Sequence, residues 1–412
     1  MKAIMLRRIF LTWFALASST FAFEVKMTGE GLLRDGKPFF IKGAGGRERL
    51  DELVQRGGNS VRTWGDRELP DVLEKAEKLG LAVCAGIWLE PECSWFSYRK
   101  PEHCQRQLDR VRAFVQKHRN HPSLLLWGLG NEAEGDGSND AYWQQLNQLA
   151  RMVHLEDPLH PTFTAVAGLS EPKARGLNAH APDLDLVGIN TYGALPSLRE
   201  HLVKVGWTRP WIVTEYGPQG FWESPRTAWE APREQNSTQK AAMIRRNYAK
   251  TIAPGGLCLG SYAFVWGQKQ EATATWFGLF TADGMSTETV DVLQELWTGH
   301  APKNSAPKMR ELKSDRPSLV LNPGDTFQLT AAAEDPDGDP LSVRWEVHDD
   351  ARRRDAQGRE KPTSALPGIV DADQFKATIT APKKPGLYRA YLFVLDGKGH
   401  AATANIPFKV GP

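Results

Sequence analysis

The sequence is most informative at first through what it lacks. Four cysteines occur in 412 residues, and none forms a CxxC pair or a Cys/His spacing typical of a zinc site. The formal net charge is only +2, so there is no basic excess to indicate a dedicated nucleic-acid-binding protein. No glycine-rich phosphate-binding turn follows the first predicted strand, which argues against the structural alternative of a doubly wound, dinucleotide-binding sheet.

The first residues predict an export signal. A basic start that includes Lys2 precedes the apolar stretch 9–17, and small residues occupy the −3 and −1 positions of a cleavage after Ala22. An uncleaved membrane anchor is the alternative. No later apolar run reaches transmembrane length, so we expect a secreted or periplasmic protein without an integral membrane segment after cleavage. In such an oxidising compartment Cys93 and Cys104 have the opportunity to pair, but the sequence leaves this open.

Strand-like and helix-like segments alternate from the first strand to about residue 297. The predicted strands are 39–43, 58–65, 81–88, 124–127, 162–167, 184–189, 211–215 and 260–266. Helical spacing of apolar residues predicts helices at 50–55, 71–79, 108–115, 143–153, 198–205, 238–252 and 290–297. Eight units over about 275 residues match the size of an α/β fold of the (β/α)8, or TIM, barrel type. We therefore predict that residues 23–300 form this barrel.

The pattern changes after the barrel. Residues 301–317 are rich in Pro, Lys and Ser and lack apolar periodicity, so we interpret them as a linker. Residues 318–412 contain short strand-like runs separated by Pro, Gly and Asp turns, which predicts a small all-β sandwich. This region resembles bacterial immunoglobulin-like modules of the PKD or cadherin-like kind. Its acidic turn 335–340 offers oxygen atoms that suit calcium, although such a stretch is more often simply a tight turn.

Two glutamates follow buried strands of the predicted barrel. Glu132 comes shortly after strand 124–127, and Glu215 ends strand 211–215. Side chains at the carboxyl ends of barrel strands converge on one cleft. Glycoside hydrolysis requires two carboxyl groups, of which one has a raised pKa and the other stays ionised. A separation of about 5 Å would predict retention of configuration, and one of about 9 Å inversion.

Several motifs resemble the catalytic barrel of glycoside hydrolase family 2, within the large clan of retaining (β/α)8 glycosidases. They are HRNHPSLLLWGLGNE at 118–132, FFIKG at 39–43, NSVRT at 59–63 and VTEYG at 213–217. The resemblance extends over about residues 30–298. It implies a retaining β-glycosidase that needs no metal or other cofactor and that hydrolyses a β-linked poly- or oligosaccharide.

The resemblance also implies roles for individual residues. Glu132 would be the acid/base, and Glu215 would be the nucleophile. Asn131 would bind the 2-hydroxyl group of the sugar, whereas Arg62 and Tyr192 would hydrogen-bond the nucleophile and keep it ionised. From the residues themselves, Arg62 has the alternative of a structural ion pair at the barrel rim, and Tyr192 that of a ring packed within a loop.

Aromatic and polar residues supply further candidates for substrate binding. The resemblance makes Trp266 the floor of the subsite that holds the reacting sugar, with ordinary core packing as the alternative. Asn190 follows the sixth strand and is a further candidate. Other sugar-binding candidates, which packing would also explain, are Trp88, Trp95, Phe96, Tyr98, Trp222 and Trp276. Weaker polar candidates are Gln268, Lys269 and Glu271.

Two other functions remain open at this point. A β-glucan transglycosylase would use the same residues, with a sugar hydroxyl group as acceptor and the Trp95 loop as a candidate acceptor site. A non-catalytic glycan-binding protein on an enzyme-derived barrel is the second alternative, against which the intact set of Asn131, Glu132 and Glu215 argues. In each case we expect a monomer whose partner is a β-linked carbohydrate.

Overall fold

A closed barrel of eight parallel strands forms the larger part of the protein. The computed structural model describes residues 23–29, 31–350, 352–356 and 358–411, so the predicted export signal at 1–22 lies outside them. In chain order, barrel strands 1 to 8 are Ile41–Gly45, Ser60–Arg62, Ala82–Ile87, Leu124–Asn131, Thr162–Ala167, Leu186–Asn190, Trp211–Tyr216 and Cys258–Ala263. Their order around the barrel follows their order along the chain, so strand 8 pairs with strand 1. The predicted barrel is confirmed, and strand 4 lies opposite strand 8.

A small antiparallel sheet closes the amino-terminal end of the barrel. Its strands are Val25–Thr28, Gly31–Arg34 and Lys37–Pro38. Val25 and Leu32 pack in one apolar cluster with residues near the starts of several barrel strands, among them Ile41, Ala82 and Leu125. Because this end is filled by apolar side chains, the open end of the barrel is the carboxyl end of the strands.

Helices cover the outside of the barrel. They are Leu50–Gln55, Leu69–Leu79, Pro101–His118, Asp140–Glu156, Glu171–His180, Leu198–Lys204, Ser237–Asn247 and Glu288–Thr298. A 3-10 turn at Leu195–Ser197 and a π-helical turn at Tyr248–Ile252 adjoin two of them. None of the helices in the described ranges is long and apolar enough to cross a membrane.

One of these helices, Glu171–His180, was not predicted. It contains both a proline and a glycine, which weaken a helical signal in sequence. Pro172 lies in the first turn, where its missing N–H costs nothing. At Gly176 an added Cβ atom would lie 2.1 Å from Nε1 of Trp143, so only glycine allows the helix to pack this closely on its neighbour.

The carboxyl-terminal region consists of two four-stranded sheets. One contains, in spatial order, Lys308–Ser314, Thr326–Glu334, Lys376–Thr380 and Val370–Asp373, and the other Val320–Leu321, Ala401–Val410, Gly386–Leu395 and Ser342–Asp349. Every pairing is antiparallel except that of the edge strand Val320–Leu321. Apolar residues of both sheets, including Phe327 and Phe408, share one buried cluster. The predicted all-β region is confirmed, while its immunoglobulin-like character stays a prediction.

The interpretation of residues 301–317 as a linker is wrong over its second half. Lys308–Ser314 is a strand that pairs with Thr326–Glu334. The register shifts between Met309 and Glu311, so the two inward-facing apolar residues, Met309 and Leu312, are three positions apart. This irregularity removes the alternation by which a strand is normally detected in sequence.

The all-β region is joined to the barrel by a buried polar interface. The amide of Asn405 donates to Glu234 at 2.6 Å, and the backbone N–H of Thr403 donates to the Ser237 hydroxyl at 2.9 Å. Glu234 also forms a buried ion pair with Lys240 at 2.5 Å. Polar groups buried between two units must satisfy one another with good geometry, so this contact defines how the two units meet.

Candidate active site

The carboxyl end of the barrel opens into a cleft of about 950 Å³. Residues that follow barrel strands 2 and 4 to 8 line it, together with Arg359 from the all-β region. Both predicted catalytic carboxylates, Glu132 and Glu215, are among the lining residues. The size is that of a small-molecule or oligosaccharide site.

Three donors surround the carboxylate of Glu215. Arg62 Nη1 lies 3.1 Å from Glu215 Oε1, Trp64 Nε1 lies 2.6 Å from the same oxygen, and the Tyr192 hydroxyl donates to Oε2 at 2.9 Å. Burial, followed by the charge of Glu215, raises the pKa of Tyr192 well above its usual range. The phenol therefore stays protonated and remains a donor, and the three donors stabilise a negative charge on Glu215.

Arg62 connects the two halves of the site. It ends barrel strand 2, and only 2% of its surface is exposed. Besides Glu215, its guanidinium donates to the Thr214 carbonyl oxygen at 2.8 Å and to Asn131 Oδ1 at 2.6 Å. A buried guanidinium is stable only when its charge and its N–H groups find partners, so these contacts hold strands 2, 4 and 7 in a common register at their ends.

Glu132 is held in an unusual backbone conformation. Its φ angle is 52°, in the left-handed region that non-glycine residues rarely adopt, and it follows Gly130 with a φ of 83°. The Glu132 N–H donates to the Ala165 carbonyl at 2.8 Å, which ties it to barrel strand 5. Such a conformation costs about 1–3 kcal/mol and is typical of functional positions.

The surroundings of Glu132 favour its protonated form. Asn190 Nδ2 donates to Glu132 Oε1 at 2.7 Å and to Asn131 Oδ1 at 3.1 Å. The pKa of Glu132 is raised, chiefly because the walls of the cleft remove hydration from its carboxylate. The charge of Glu215 adds to this effect, and the hydrogen bond from Asn190 opposes it. One carboxyl group with a raised pKa therefore faces another that is surrounded by donors.

Six of the eight predicted site residues belong to this network. They are Arg62, Asn131, Glu132, Asn190, Tyr192 and Glu215. Tyr192 is more than a ring packed within a loop, since its hydroxyl donates to Glu215, whereas Arg62 forms an ion pair at the rim whose partner is the predicted nucleophile. The catalytic roles assigned to the six residues stay predictions.

Trp266 does not line the cleft, so its prediction as the floor of a sugar subsite is wrong. It is 1% exposed, donates from Nε1 to the Arg49 carbonyl at 2.9 Å, and packs on Phe280 and Trp297. Barrel strand 8 ends at Ala263, three residues before Trp266, so the strand alternation no longer determines where the Trp266 side chain points. Phe264, directly after the strand, lines the cleft in its place.

Trp88 does not contribute to this cleft, and its role in substrate binding stays a prediction. It lies beyond barrel strand 3, is 47% exposed, and is not part of the cleft lining. Trp95 is exposed as well and lies outside the lining, so its role as a transglycosylase acceptor site stays a prediction. In the same loop Phe96 packs on Tyr98, as the alternative of simple packing requires. Cys93 and Cys104 are free thiols, so the pairing left open by the sequence is not formed.

One wall of the cleft is aromatic. Trp222 is about half exposed and lines the cleft. Its ring is perpendicular to that of Tyr192, and the two ring centroids are 5.4 Å apart. Phe221 lies behind Trp222, with the two ring centroids 4.9 Å apart, and its ring also packs on the buried Trp276. Trp222 therefore presents an exposed aromatic surface to the cleft, whereas the buried Trp276 supports that surface from behind.

Sequence reasoning missed Trp64 and Arg359. Trp64 lies two residues after Arg62, so the alternation of side chains along a strand already places both on one face. Arg359 is separated from the barrel residues by a whole region of the chain, and no local signal points to it. Lys269 and Glu271, which were weak candidates, line the cleft as an ion pair at 2.6 Å.

One carboxylate cluster among the described residues has the geometry to hold a metal ion. It consists of Asp335, Asp339 and Asp396 in the all-β region and includes part of the predicted acidic turn. Lys398 Nζ lies 2.5 Å from Asp339 Oδ1 and already compensates part of the negative charge. The cluster shares no residue with the cleft lining.

Comparison with known proteins gives concordant matches. The profile of the family described as "Glycosyl hydrolases family 2, TIM barrel domain" matches residues 48–300. A β-galactosidase of Arthrobacter sp. (strain B7) is 27% identical over an alignment of 220 residues that covers 47% of this chain and 21% of that protein. A β-glucuronidase of Sus scrofa is 23% identical over an alignment of 309 residues that covers 66% of this chain and 45% of that protein. The chain thus spans less than half the length of either relative.

A solved structure extends the comparison beyond the barrel. The crystal structure of a Bacteroides uniformis β-glucuronidase superimposes with a TM-score of 0.53 at 15% sequence identity. The superposition covers 95% of this chain and 48% of that structure. It therefore includes most of the all-β region as well as the barrel, and at this identity it supports the fold alone.

Proposed function

This chain belongs to glycosyl hydrolase family 2, and on that premise we propose that it is a β-glycosidase that retains the configuration of the anomeric carbon. The observation that carries the proposal is the pair of carboxylates at the ends of barrel strands 4 and 7. Glu215 is surrounded by three donors that favour its charge, while the environment of Glu132 favours its protonated form. A glycosidase with two catalytic carboxyl groups needs this division between a protonated and an ionised group, and retention is the outcome typical of the family.

In the first step the Glu215 carboxylate attacks the anomeric carbon and forms a glycosyl ester. Glu132 gives its proton to the departing glycosidic oxygen at the same time, so the leaving group departs as a neutral alcohol. In the second step Glu132, now a carboxylate, takes a proton from water, and the resulting nucleophile displaces Glu215 from the anomeric carbon. Arg62, Trp64 and Tyr192 stabilise the carboxylate charge that Glu215 regains.

The substrate we propose is a β-linked oligosaccharide or polysaccharide. The names of the relatives make β-glucuronides and β-galactosides the first compounds to test. The exposed face of Trp222 suits the C–H face of a pyranose ring, and several polar side chains around it suit hydroxyl groups. The basic and apolar start of the chain supports export to the periplasm or the medium.

A mechanism-based inhibitor tests the proposal directly. The full chain is incubated with 2-deoxy-2-fluoro β-glycosides of glucose, galactose, mannose and glucuronic acid, and the labelled peptide is identified by mass spectrometry. We expect one glycoside to esterify Glu215, and Glu215→Gln to prevent the labelling. Glu132→Gln is the matched control, because it keeps the nucleophile but removes the acid/base. Labelling elsewhere, or no labelling together with no turnover of any β-glycoside, would refute the proposal.

A further inference from the structure

The cleft includes an arginine that the barrel does not supply. Arg359 lies in the all-β region, in the loop between strands Ser342–Asp349 and Val370–Asp373, and it lines the same cleft as Glu132 and Glu215. The barrel profile ends at residue 300, so this contribution is a property of the two-part chain. A positively charged side chain of the all-β region therefore lies in the cleft of the barrel.

The loop is fastened to the barrel next to the cleft. Glu360 Oε2 accepts a hydrogen bond of 2.7 Å from the backbone N–H of Ala272, and only 5% of the Glu360 side chain is exposed. Ala272 directly follows Glu271, which lines the cleft. Nearby, the Arg352 guanidinium lies 4.7 Å from the centre of the Phe221 ring, behind the aromatic wall. Two independent contacts therefore bring this loop to the rim.

The Arg359 side chain is largely exposed and is paired within its own turn. The Asp355 carboxylate accepts from the backbone N–H of Arg359 at 2.9 Å and from its Nε at 2.8 Å. The Asp355 N–H donates to the Arg359 carbonyl at 2.8 Å, which closes a tight turn. Because 76% of the Arg359 side chain is exposed, this ion pair restrains the guanidinium only weakly, and the place of Arg359 in the cleft lining is the observation that matters.

The barrel topology tells which part of a substrate this arginine faces. Ala272 belongs to the segment after barrel strand 8, and Glu132 directly follows strand 4, on the opposite side of the barrel. The acid/base must lie beside the leaving group, because it protonates the glycosidic oxygen. The side across from Glu132 then holds the sugar that is transferred to Glu215, known as the glycone.

We propose that Arg359 binds oxygen atoms of the glycone, so that the all-β region forms part of the substrate site and helps to determine which sugar is accepted. The inference rests on the proposed function, since it takes the positions of acid/base and leaving group from it. Guanidinium N–H groups suit hydroxyl or carboxylate oxygens of a sugar. The neighbouring Lys269–Glu271 pair adds a donor and an acceptor on the same side.

A kinetic comparison of Arg359→Ala with the wild-type full chain tests the inference. We measure kcat/KM of both proteins on a series of aryl β-glycosides. All members of the series share one glycone and differ in the acidity of the leaving group. We expect kcat/KM to fall by about tenfold or more, as for the loss of a hydrogen bond to a charged group. The factor should be the same for every leaving group, because the lost contact is to the glycone. Arg359→Lys should restore part of the activity.

Arg353→Ala is the matched control, since Arg353 is an exposed arginine of the same loop that pairs with Asp349 and does not line the cleft. An Arg359→Ala variant that behaves like this control would overturn the inference. A factor that changes with the leaving group would also overturn it, because Arg359 would then act on the opposite side of the scissile bond.

A binding measurement keeps this inference separate from the proposed mechanism. Free glucose, galactose, mannose and glucuronic acid are titrated into both proteins while tryptophan fluorescence is followed, since Trp64 and Trp222 line the cleft. We expect the sugar that binds the wild type to bind Arg359→Ala at least several-fold more weakly. Equal binding to both proteins would refute the role of Arg359 even if the enzyme is active. Weaker binding without any turnover would support it while the proposed mechanism fails.

Discussion

Replacing Asn190 with alanine tests the acid/base assignment through the pH dependence of activity. The Asn190 amide donates to Glu132 Oε1 at 2.7 Å, and its own oxygen accepts from the Thr214 hydroxyl at 2.7 Å. The bond to Glu132 favours the ionised carboxylate and therefore lowers its pKa, against the larger effect of burial. Asn190→Ala removes this bond, so the pKa of Glu132 should rise further.

The size of the change follows from the hydrogen bond that is lost. A hydrogen bond to a charged group contributes about 1.5–3 kcal/mol, and about 1.4 kcal/mol corresponds to one pKa unit. Glu132 faces an open cleft, so water replaces part of the lost bond and the lower value applies. A general acid is active only while protonated, so kcat/KM falls as the pH rises through its pKa. We therefore expect the basic limb of the profile to move upward by about one pH unit.

The assay is the pH profile of kcat/KM on an aryl β-glycoside for the wild type and Asn190→Ala. Thr214→Val is the control variant, because it removes the hydroxyl that orients Asn190 but keeps the donor to Glu132. Its basic limb should stay close to that of the wild type. Glu132→Gln should remove the basic limb altogether. If the basic limb of the Asn190→Ala profile stays in place or moves to lower pH, then Glu132 is not the group whose ionisation causes that limb.

Two further substitutions address the nucleophile and the interface between barrel and all-β region. Trp64→Phe keeps an aromatic ring but removes the donor 2.6 Å from Glu215, so kcat/KM should fall about tenfold while the urea unfolding midpoint changes little. A fall of less than twofold would contradict that role for Trp64. Lys240→Met leaves the buried Glu234 carboxylate without its cation and should lower the unfolding free energy by about 3–5 kcal/mol. Urea unfolding measures this loss, and the double variant with Glu234→Gln should be more stable than Lys240→Met alone; the reverse order would contradict the pairing.

The interface between the barrel and the all-β region also contacts residues next to the cleft. Glu234 contacts Lys240 within the barrel and Asn405 in the all-β region. Thr273 and Thr275, which follow the loop that contains Lys269 and Glu271, donate to the same Glu234 carboxylate. A single buried carboxylate thus connects the strand 8 side of the cleft to the region that carries Arg359.

The sequence by itself was sufficient for the barrel and for the two carboxylates. Parallel barrel strands are buried on both faces, so they appear in sequence as apolar runs, and the helices between them show their own period. A side chain that ends such a strand must lie at the carboxyl rim whatever the loops do. That is why Arg62, Asn131, Asn190 and Glu215 could be placed in one cleft from their positions alone.

Only the tertiary structure decided which aromatic and cationic residues complete the cleft. Trp266 was misplaced because the chain leaves the sheet at Ala263, and beyond that point the strand period no longer predicts where a side chain points. Arg359 reaches the rim through the hydrogen bond between Glu360 and Ala272, which are 88 positions apart. Contacts between distant segments depend on how two folded units pack together, and neither local propensity nor periodicity contains that information.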